Sequence, residues 1–309
     1  MRAERKHKGG EPLRQIQDRV GVSTHVLPGI TLPEAIRRVS GAGFRTFEIV
    51  PADFHAVVGH PKMLRNAGVW PRTFRGRKRE KLRKELEVFD EVTVHSPHLG
   101  GLNIASMNPG IREESQRQHR EVLAFGAQIG ARVVTLHPGD VVQDSGHGWE
   151  DVFHRYNVDF AKEAAEIAEK LGIVTGYESA EGDPELLAIV REVNSPRFGV
   201  HLDFANSYAW EIYPALKDVK KSHRRLEGIV RDYFLPEVHL HGAFHWWGGI
   251  LTHQALSRNN CLDYHRLVRA LRRASFAGPI VLEIQSIDVE TVLADARFAR
   301  DLITAAWNG

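Results

Sequence analysis

Short β-branched runs alternate with longer amphipathic stretches along nearly the whole chain. Few sequence patterns constrain a fold more, because successive parallel strands in one sheet need a helical crossover between them. The expected strands are Val20 to Leu27, Phe44 to Val50, Val92 to His95, Arg132 to His137, Ile173 to Glu178, Phe198 to Asp203, Val238 to His241 and Ile280 to Ile284. The helices between them carry their own punctuation. Thr31-Leu32-Pro33-Glu34 has capping-box spacing with a proline in the first turn, and Gly41 and Gly43 stand where that helix must stop. A charged helix is expected over Arg77 to Phe89, a helix from Ile111 to Ile129 runs into Gly130, and another spans Trp149 to Leu171. Asp183-Pro184-Glu185 reads as an Asp cap with Pro at the first position of a helix ending near Val193. This grammar predicts an α/β fold, a closed (β/α)8 barrel rather than an open doubly wound sheet. A chain of 309 residues, 42% of them hydrophobic, suffices for one such domain over 16–309, preceded by a loosely ordered arm over 1–15 that shows no periodicity.

In a barrel of this kind the groups that carry chemistry sit at the C-terminal ends of the strands. Strand three ends at His95, strand four at His137, strand five at Glu178, strand six at Asp203, strand seven at His239 or His241, and strand eight at Glu283. The separations from His95 through His137, Glu178, Asp203, His239 and Glu283 are 42, 41, 25, 36 and 44 residues, about one βα unit each, so all six converge on one mouth. Imidazoles and carboxylates without a thiolate suit Zn²⁺, Mn²⁺ or Fe²⁺. Any one of these residues alone would read as a hydrogen-bonded rim residue. Six consecutive strand ends read as a metal site.

The rest of the composition is mostly exclusive. Lysine plus arginine number 41 against 39 acids, so the net charge of +2 gives no global attraction to a polyanion. Cys261 is the single cysteine, which excludes an intrachain disulfide and suits a reducing, cytoplasmic setting. The first residues are charged but precede no apolar segment, and no apolar run is long enough to span a membrane. The basic run from Arg72 to Lys84, beside Trp70 and Phe74, is the one local patch suited to phosphates, yet Glu80, Glu85 and Glu87 make an ordinary solvated helix face the better reading.

The motifs HSPHLGGLNIAS (95–106), VVTLHPG (133–139), GYESAEG (176–182), GVHLDFANSY (199–208), EVHLHG (237–242) and IVLEIQ (280–285) resemble the xylose-isomerase-like TIM-barrel superfamily, over about Gly21 to Asn308. That superfamily includes endonuclease IV-type apurinic endonucleases and many sugar isomerases and epimerases. The resemblance implies a shared metal site formed by Glu178, Asp203, His239 and Glu283. Endonuclease IV-type enzymes add two imidazoles, at positions that His95 and His137 resemble, for a second metal bridged by the strand-five glutamate. Their third zinc uses a histidine three residues after the strand-six aspartate and an Asp-x-His pair after strand seven. Here those positions hold Asn206 and Leu251-Thr252-His253, so only His253 fits and the third site is degenerate. Sugar 3-epimerases place a histidine where Asn206 stands and an arginine where His245 stands, so their pattern is broken as well.

Two reactions follow. In a hydrolase of a phosphoester or phosphodiester, one or two divalent ions, Zn²⁺ or Mn²⁺, generate hydroxide; Glu178 bridges, Glu283 ligates and orients water, and His95 and His137 hold the more exposed ion. In a sugar or sugar-phosphate isomerase or epimerase, one ion suffices, and Glu178 and Glu283 exchange a proton with carbon from opposite sides. The two histidines have a stated role only in the first, so the hydrolase is the expected activity and the isomerase or epimerase the alternative. The substrate is expected to be small or medium-sized, phosphorylated or sugar-like; abasic DNA is admitted without being favoured, and the assembly state is left open. A barrel that binds metal without turnover is the weakest reading. Around the core, His241 is expected as a partner of ligands, His253, Asn206, His245 and Glu48 as ligand partners or substrate contacts, and Trp246 with Trp247 either as a stacking surface for substrate or as packing of the loop over the mouth. His201, one layer below Asp203, is expected inside the barrel.

Overall fold

Alternate residues of eight short strands point into the centre of a closed barrel in a computed structural model of the chain, which describes residues 14–50, 71–97, 102–139, 150–178, 184–256 and 260–309. The strands are β1 (Val20–Ser23), β2 (Thr46–Ile49), β3 (Glu91–His95), β4 (Val133–Leu136), β5 (Val174–Glu178), β6 (Phe198–Asp203), β7 (Val238–Leu240) and β8 (Ile280–Leu282). They close in the order β1-β8-β7-β6-β5-β4-β3-β2, every pair parallel. Outside them lie α1 (Leu32–Gly41), α2 (Arg77–Leu86), α3 (Pro109–Ile129), α4 (Glu150–Leu171), α5 (Pro184–Val193), α6 (Val219–Asp232), α7 (Tyr264–Arg273) and α8 (Val289–Asn308). This is the (β/α)8 barrel that the alternation predicts, in one domain. Helix faces such as Val122, Leu123 and Phe125 on α3 seal the outer surface of the strands.

Local chemistry explains where the elements stop. Asn108 caps α3 through its side chain, and Gly130 takes the left-handed conformation, φ 89°, that ends it. At β1 the expected strand is too long. The chain bends at Ser23, whose Oγ accepts from the His25 N–H, into a one-turn 3-10 helix over Thr24–Val26, and Thr24 Oγ1 accepts from the Val50 N–H. The capping box at Thr31 does not form either: Thr31 makes no side-chain cap, and the Glu34 carboxylate pairs with Arg37 and Arg38 at 2.7 and 2.6 Å. Most of the expected N-terminal arm, the Asp183 cap, Trp149 and Trp70 lie outside the described residues. Arg14, inside the expected arm, is ion-paired with Glu91.

Two glycines set the closeness of the strands beneath the mouth. Gly176 and Gly199 are register partners, and a Cβ would meet Gly199 O at 2.4 Å in the first case and Phe234 O at 2.3 Å in the second. Only a residue without a side chain fits against the Phe234–Pro236 segment that closes the lower end. Two steps on, the same faces carry Glu178 and His201, again register partners.

The structure adds one element absent from the expected strands, an antiparallel hairpin of Gly242–Trp246 and Gly249–Gln254 that leaves the end of β7. The basic segment behaves as a solvated face. Arg72 pairs with Glu121 at 3.1 Å, Lys81 with Glu85 at 3.5 Å and Lys84 with Glu80 at 3.8 Å. Among the described residues, no helix is long and apolar enough to cross a membrane.

Candidate metal centre and active site

The ends of β3, β5, β6 and β7, with the residues just beyond β4 and β8, bring the six expected ligands together. His95 Nε2 and His137 Nε2 each lie 2.8 Å from Glu178 Oε2 and 3.3 Å from one another. The other oxygen of Glu178, Oε1, lies 3.0 Å from His239 Nδ1, which is 3.4 Å from Glu283 Oε2. The two oxygens of Glu178 thus face two donor groups, one of His95 and His137, the other of Asp203, His239 and Glu283, whose donor atoms with that of Glu178 all lie within 4.8 Å of each other. Ligands bonded to one ion at about 2.0–2.2 Å with angles near 90–110° stand roughly 2.8–3.6 Å apart. The shortest separations here have that size.

A second feature fits a cation. His239 Nδ1 is fully buried and makes no hydrogen bond, its contacts with the two glutamates lacking the required geometry. A buried nitrogen left without a partner is costly unless a ligand takes its lone pair. His95 is similarly oriented: its Nδ1–H donates to Ser96 O at 2.7 Å, which turns Nε2 toward Glu178 and His137. Asp203 is held by three donors. Asn206 N–H reaches Oδ1 at 2.8 Å, Asn206 Nδ2 reaches Oδ2 at 2.8 Å, and His241 Nε2 reaches Oδ2 at 3.0 Å. Beyond Asn206 the helix loosens into a π turn over Ser207–Ile212.

Charge in the cluster is mutually sustained. Burial works against charged His95, but the Glu178 carboxylate prevails and pushes its pKa up to about 9. Burial likewise works against ionised Glu178 and Glu283, yet the imidazoles of His95 and His239 beside the first, and of His239 beside the second, hold both well below the usual carboxylate range. His239 is raised well above an ordinary histidine, despite its burial, by Glu283, Glu48 and Glu178. His201, buried and beside His239, is pushed well below, and its Nδ1 lies 2.6 Å from Thr135 Oγ1 inside the barrel, as expected.

The outer residues divide. His241 contacts Asp203 through Nε2, its Nδ1 lies 2.8 Å from the His253 N–H, and although burial works against its charge the Asp203 carboxylate raises its pKa. His253, at φ 56°, stacks on His241 with ring centroids 4.1 Å apart, and its Nδ1 lies 3.1 Å from Glu283 O. Glu48 does not face the mouth. It is fully buried and lies 3.1 Å from His239 Nε2. The structure does not bring His245 and Trp246 to the cluster: both are exposed on the hairpin, His245 packing on Tyr213 at 5.2 Å and Trp246 standing 60% exposed beside Trp247 at 98%.

Three features escaped the sequence reasoning. Glu237 is buried beside Glu48, its Oε1 accepting from Thr93 Oγ1 at 3.0 Å, and burial with the nearby Glu48 carboxyl pushes its pKa well above the usual range. Its signal was present, since Glu237, His239 and His241 share one face of a strand by their spacing of two. His25, delivered by the bend after β1, stacks at 6.1 Å on His253. The hairpin was signalled by alternating residues around Gly248-Gly249.

The family model for the xylose isomerase-like TIM barrel matches residues 36–302. An uncharacterised protein of Methanocaldococcus jannaschii is 27% identical over 195 residues, 60% of this chain, and the chain spans 60% of that relative's length. L-ribulose-5-phosphate 3-epimerase UlaE of Escherichia coli is 20% identical over 207 residues, 65% of this chain and 67% of that one. The solved structure of a D-tagatose 3-epimerase-like protein superposes with a TM-score of 0.70 at 18% identity, over 94% of this chain and 98% of that one. With eight parallel strands closed into a barrel and most of its length matched, the chain belongs to the xylose isomerase-like TIM-barrel family.

Proposed function

We propose that the chain is a divalent-cation-dependent sugar epimerase or isomerase, and that a ketose or ketose phosphate is its substrate. The observation that carries this reading is the pair of buried, ionised carboxylates Glu178 and Glu283, which approach His239 Nδ1 from β5 and from the end of β8. The L-ribulose-5-phosphate 3-epimerase among the relatives, and the sugar epimerases among the solved structures of the same fold, support this alternative over the hydrolase expected from sequence.

Glu178, Asp203, His239 and Glu283 would hold the ion, and the unsatisfied His239 nitrogen together with the oxygen-rich donor set suits one. When bound, the ion supplies Lewis-acid polarisation of the sugar oxygens and so acidifies the neighbouring carbon–hydrogen bond. The protein's own part is proton transfer. One ionised glutamate takes the proton from carbon on one face; the other, once it has taken up a proton from solvent, returns it on the opposite face, and the first releases its proton to solvent before the next turnover. Asn206 and His241 keep Asp203 pointed inward, and His201 and Thr135 fill the space below.

A second reading rests on one specific arrangement, the approach of His95 Nε2 and His137 Nε2 to Glu178 Oε2. That set suits a second ion and with it the phosphoester hydrolase. A panel containing ketoses, ketose phosphates and phosphodiesters, with added Mn²⁺, Mg²⁺ or Zn²⁺, separates the two. Interconversion of epimers with no phosphate release is the expected result, and phosphodiester cleavage without sugar interconversion would reverse the choice.

A further inference from the structure

A histidine can ligate through Nδ1 only if its proton resides on Nε2. In water the two neutral tautomers differ little, so a buried ligand histidine needs a fixed acceptor on the far side of its ring. His239 has one. Its Nε2 lies 3.1 Å from Glu48 Oε1, a contact made across the barrel from β2 to β7 with neither side chain exposed. On the opposite edge Nδ1 faces Glu178 Oε1 and Glu283 Oε2 without a hydrogen bond. Glu48 is fully buried beside Glu237, with its Oε1 turned to the His239 ring. Its register neighbours Ser23 and Thr93 are small, which leaves its side chain room to cross the barrel.

We propose that Glu48 is the positioning residue of the cation site: its carboxyl accepts the Nε2–H of His239, fixes the ring's tautomer and angle, and so presents Nδ1 as the ligand. The inference rests on the four-residue cation site of the proposed function and is independent of which reaction that site performs. A Gln in its place keeps an acceptor oxygen but loses the charge, and a Leu of similar size loses both.

The test measures Mn²⁺ binding by calorimetry to the full-length protein after chelation and dialysis, for wild type, Glu48→Gln, Glu48→Leu and Thr93→Val. The expected order of affinity is wild type above Glu48→Gln above Glu48→Leu, with Glu48→Leu weaker by about 10- to 100-fold. Thr93→Val, which removes a neighbouring hydrogen bond without touching His239, should bind like wild type. Binding within threefold across all four proteins overturns the role of Glu48. A wild type that binds no Mn²⁺ overturns the cation site itself, which is a different failure. Ring ¹⁵N spectra of the Zn²⁺-loaded wild type need no variant at all: a proton on His239 Nε2 supports the proposal, and a proton on Nδ1 refutes it.

Discussion

Replacing Glu178 by Gln should disable the site through charge as well as chemistry, because one side chain contacts three imidazoles. Its Oε2 lies 2.8 Å from both His95 and His137, and its Oε1 lies 3.0 Å from His239. Burial alone would push His95 below an ordinary histidine, and the Glu178 carboxylate leads the interactions that reverse this and carry it to about 9. From a reference near 6.5 to about 9 is roughly 2.5 units, or about 3 kcal/mol of preference for the imidazolium. In Glu178→Gln that preference vanishes and His95 should titrate below about 6.5. Turnover should fall on the order of a hundredfold or more, since a group that exchanges the substrate proton is gone. The assay pairs ring NMR titration of the metal-free protein, with His95 assigned by its own substitution, and initial rates of sugar interconversion. A His95 that still titrates near 9 would refute the electrostatic argument, and wild-type turnover would refute the catalytic one.

His119 on α3 offers a stability prediction outside the mouth: it is 2% exposed, its Nε2 is buried without a partner, and burial lowers its pKa to about 4. Because the folded value lies below the unfolded one of about 6.5, stability is intact above that pH and falls by up to about 3 kcal/mol as the pH drops toward 4. His119→Leu should therefore lose less melting temperature between pH 7 and pH 4.5 than wild type, and an equal loss would show that other groups dominate acid unfolding. Changing both His95 and His137 to Ala should leave one equivalent of metal at Glu178, Asp203, His239 and Glu283, read by native mass spectrometry. Loss of all metal would show that the two histidines belong to the principal site.

The fold was legible because the strands of a parallel barrel are apolar on their outer faces and end in functional residues, so strand identity and strand end are written together. Phe198–Asp203 agrees with the expectation at both ends, since Pro196 precedes it and Asp203 caps the turn that follows. Strand β1 misleads because Thr24 and Val26 favour extended structure by type, while Ser23 and Thr24 spend their hydroxyls on backbone N–H groups and bend the chain. The convergence of the six strand-end residues was legible for the same topological reason. Residues beside them, Glu48, Asn206 and His253 among them, were expected as partners, but which atoms they contact was not legible. Glu48 is placed against His239 by contact across 191 residues, and Asn206 and His253 are placed by the turn after β6 and by the hairpin. Such contacts depend on barrel closure and leave no periodic trace. The expectation of hydrolysis rests on the role that His95 and His137 have in one enzyme class, and it is weakened because the same imidazoles can as well steady the charge of Glu178.

If Glu178 and Glu283 exchange a proton with a substrate carbon, isotope incorporation measures that event itself. The metal-loaded protein is incubated in D₂O with a ketose or ketose phosphate that it interconverts, and the recovered sugars are read by NMR and mass spectrometry. One deuterium is expected at the inverted carbon of the product, with incorporation abolished in Glu283→Gln. Inversion without deuterium in either epimer, or incorporation undiminished in Glu283→Gln, would contradict it.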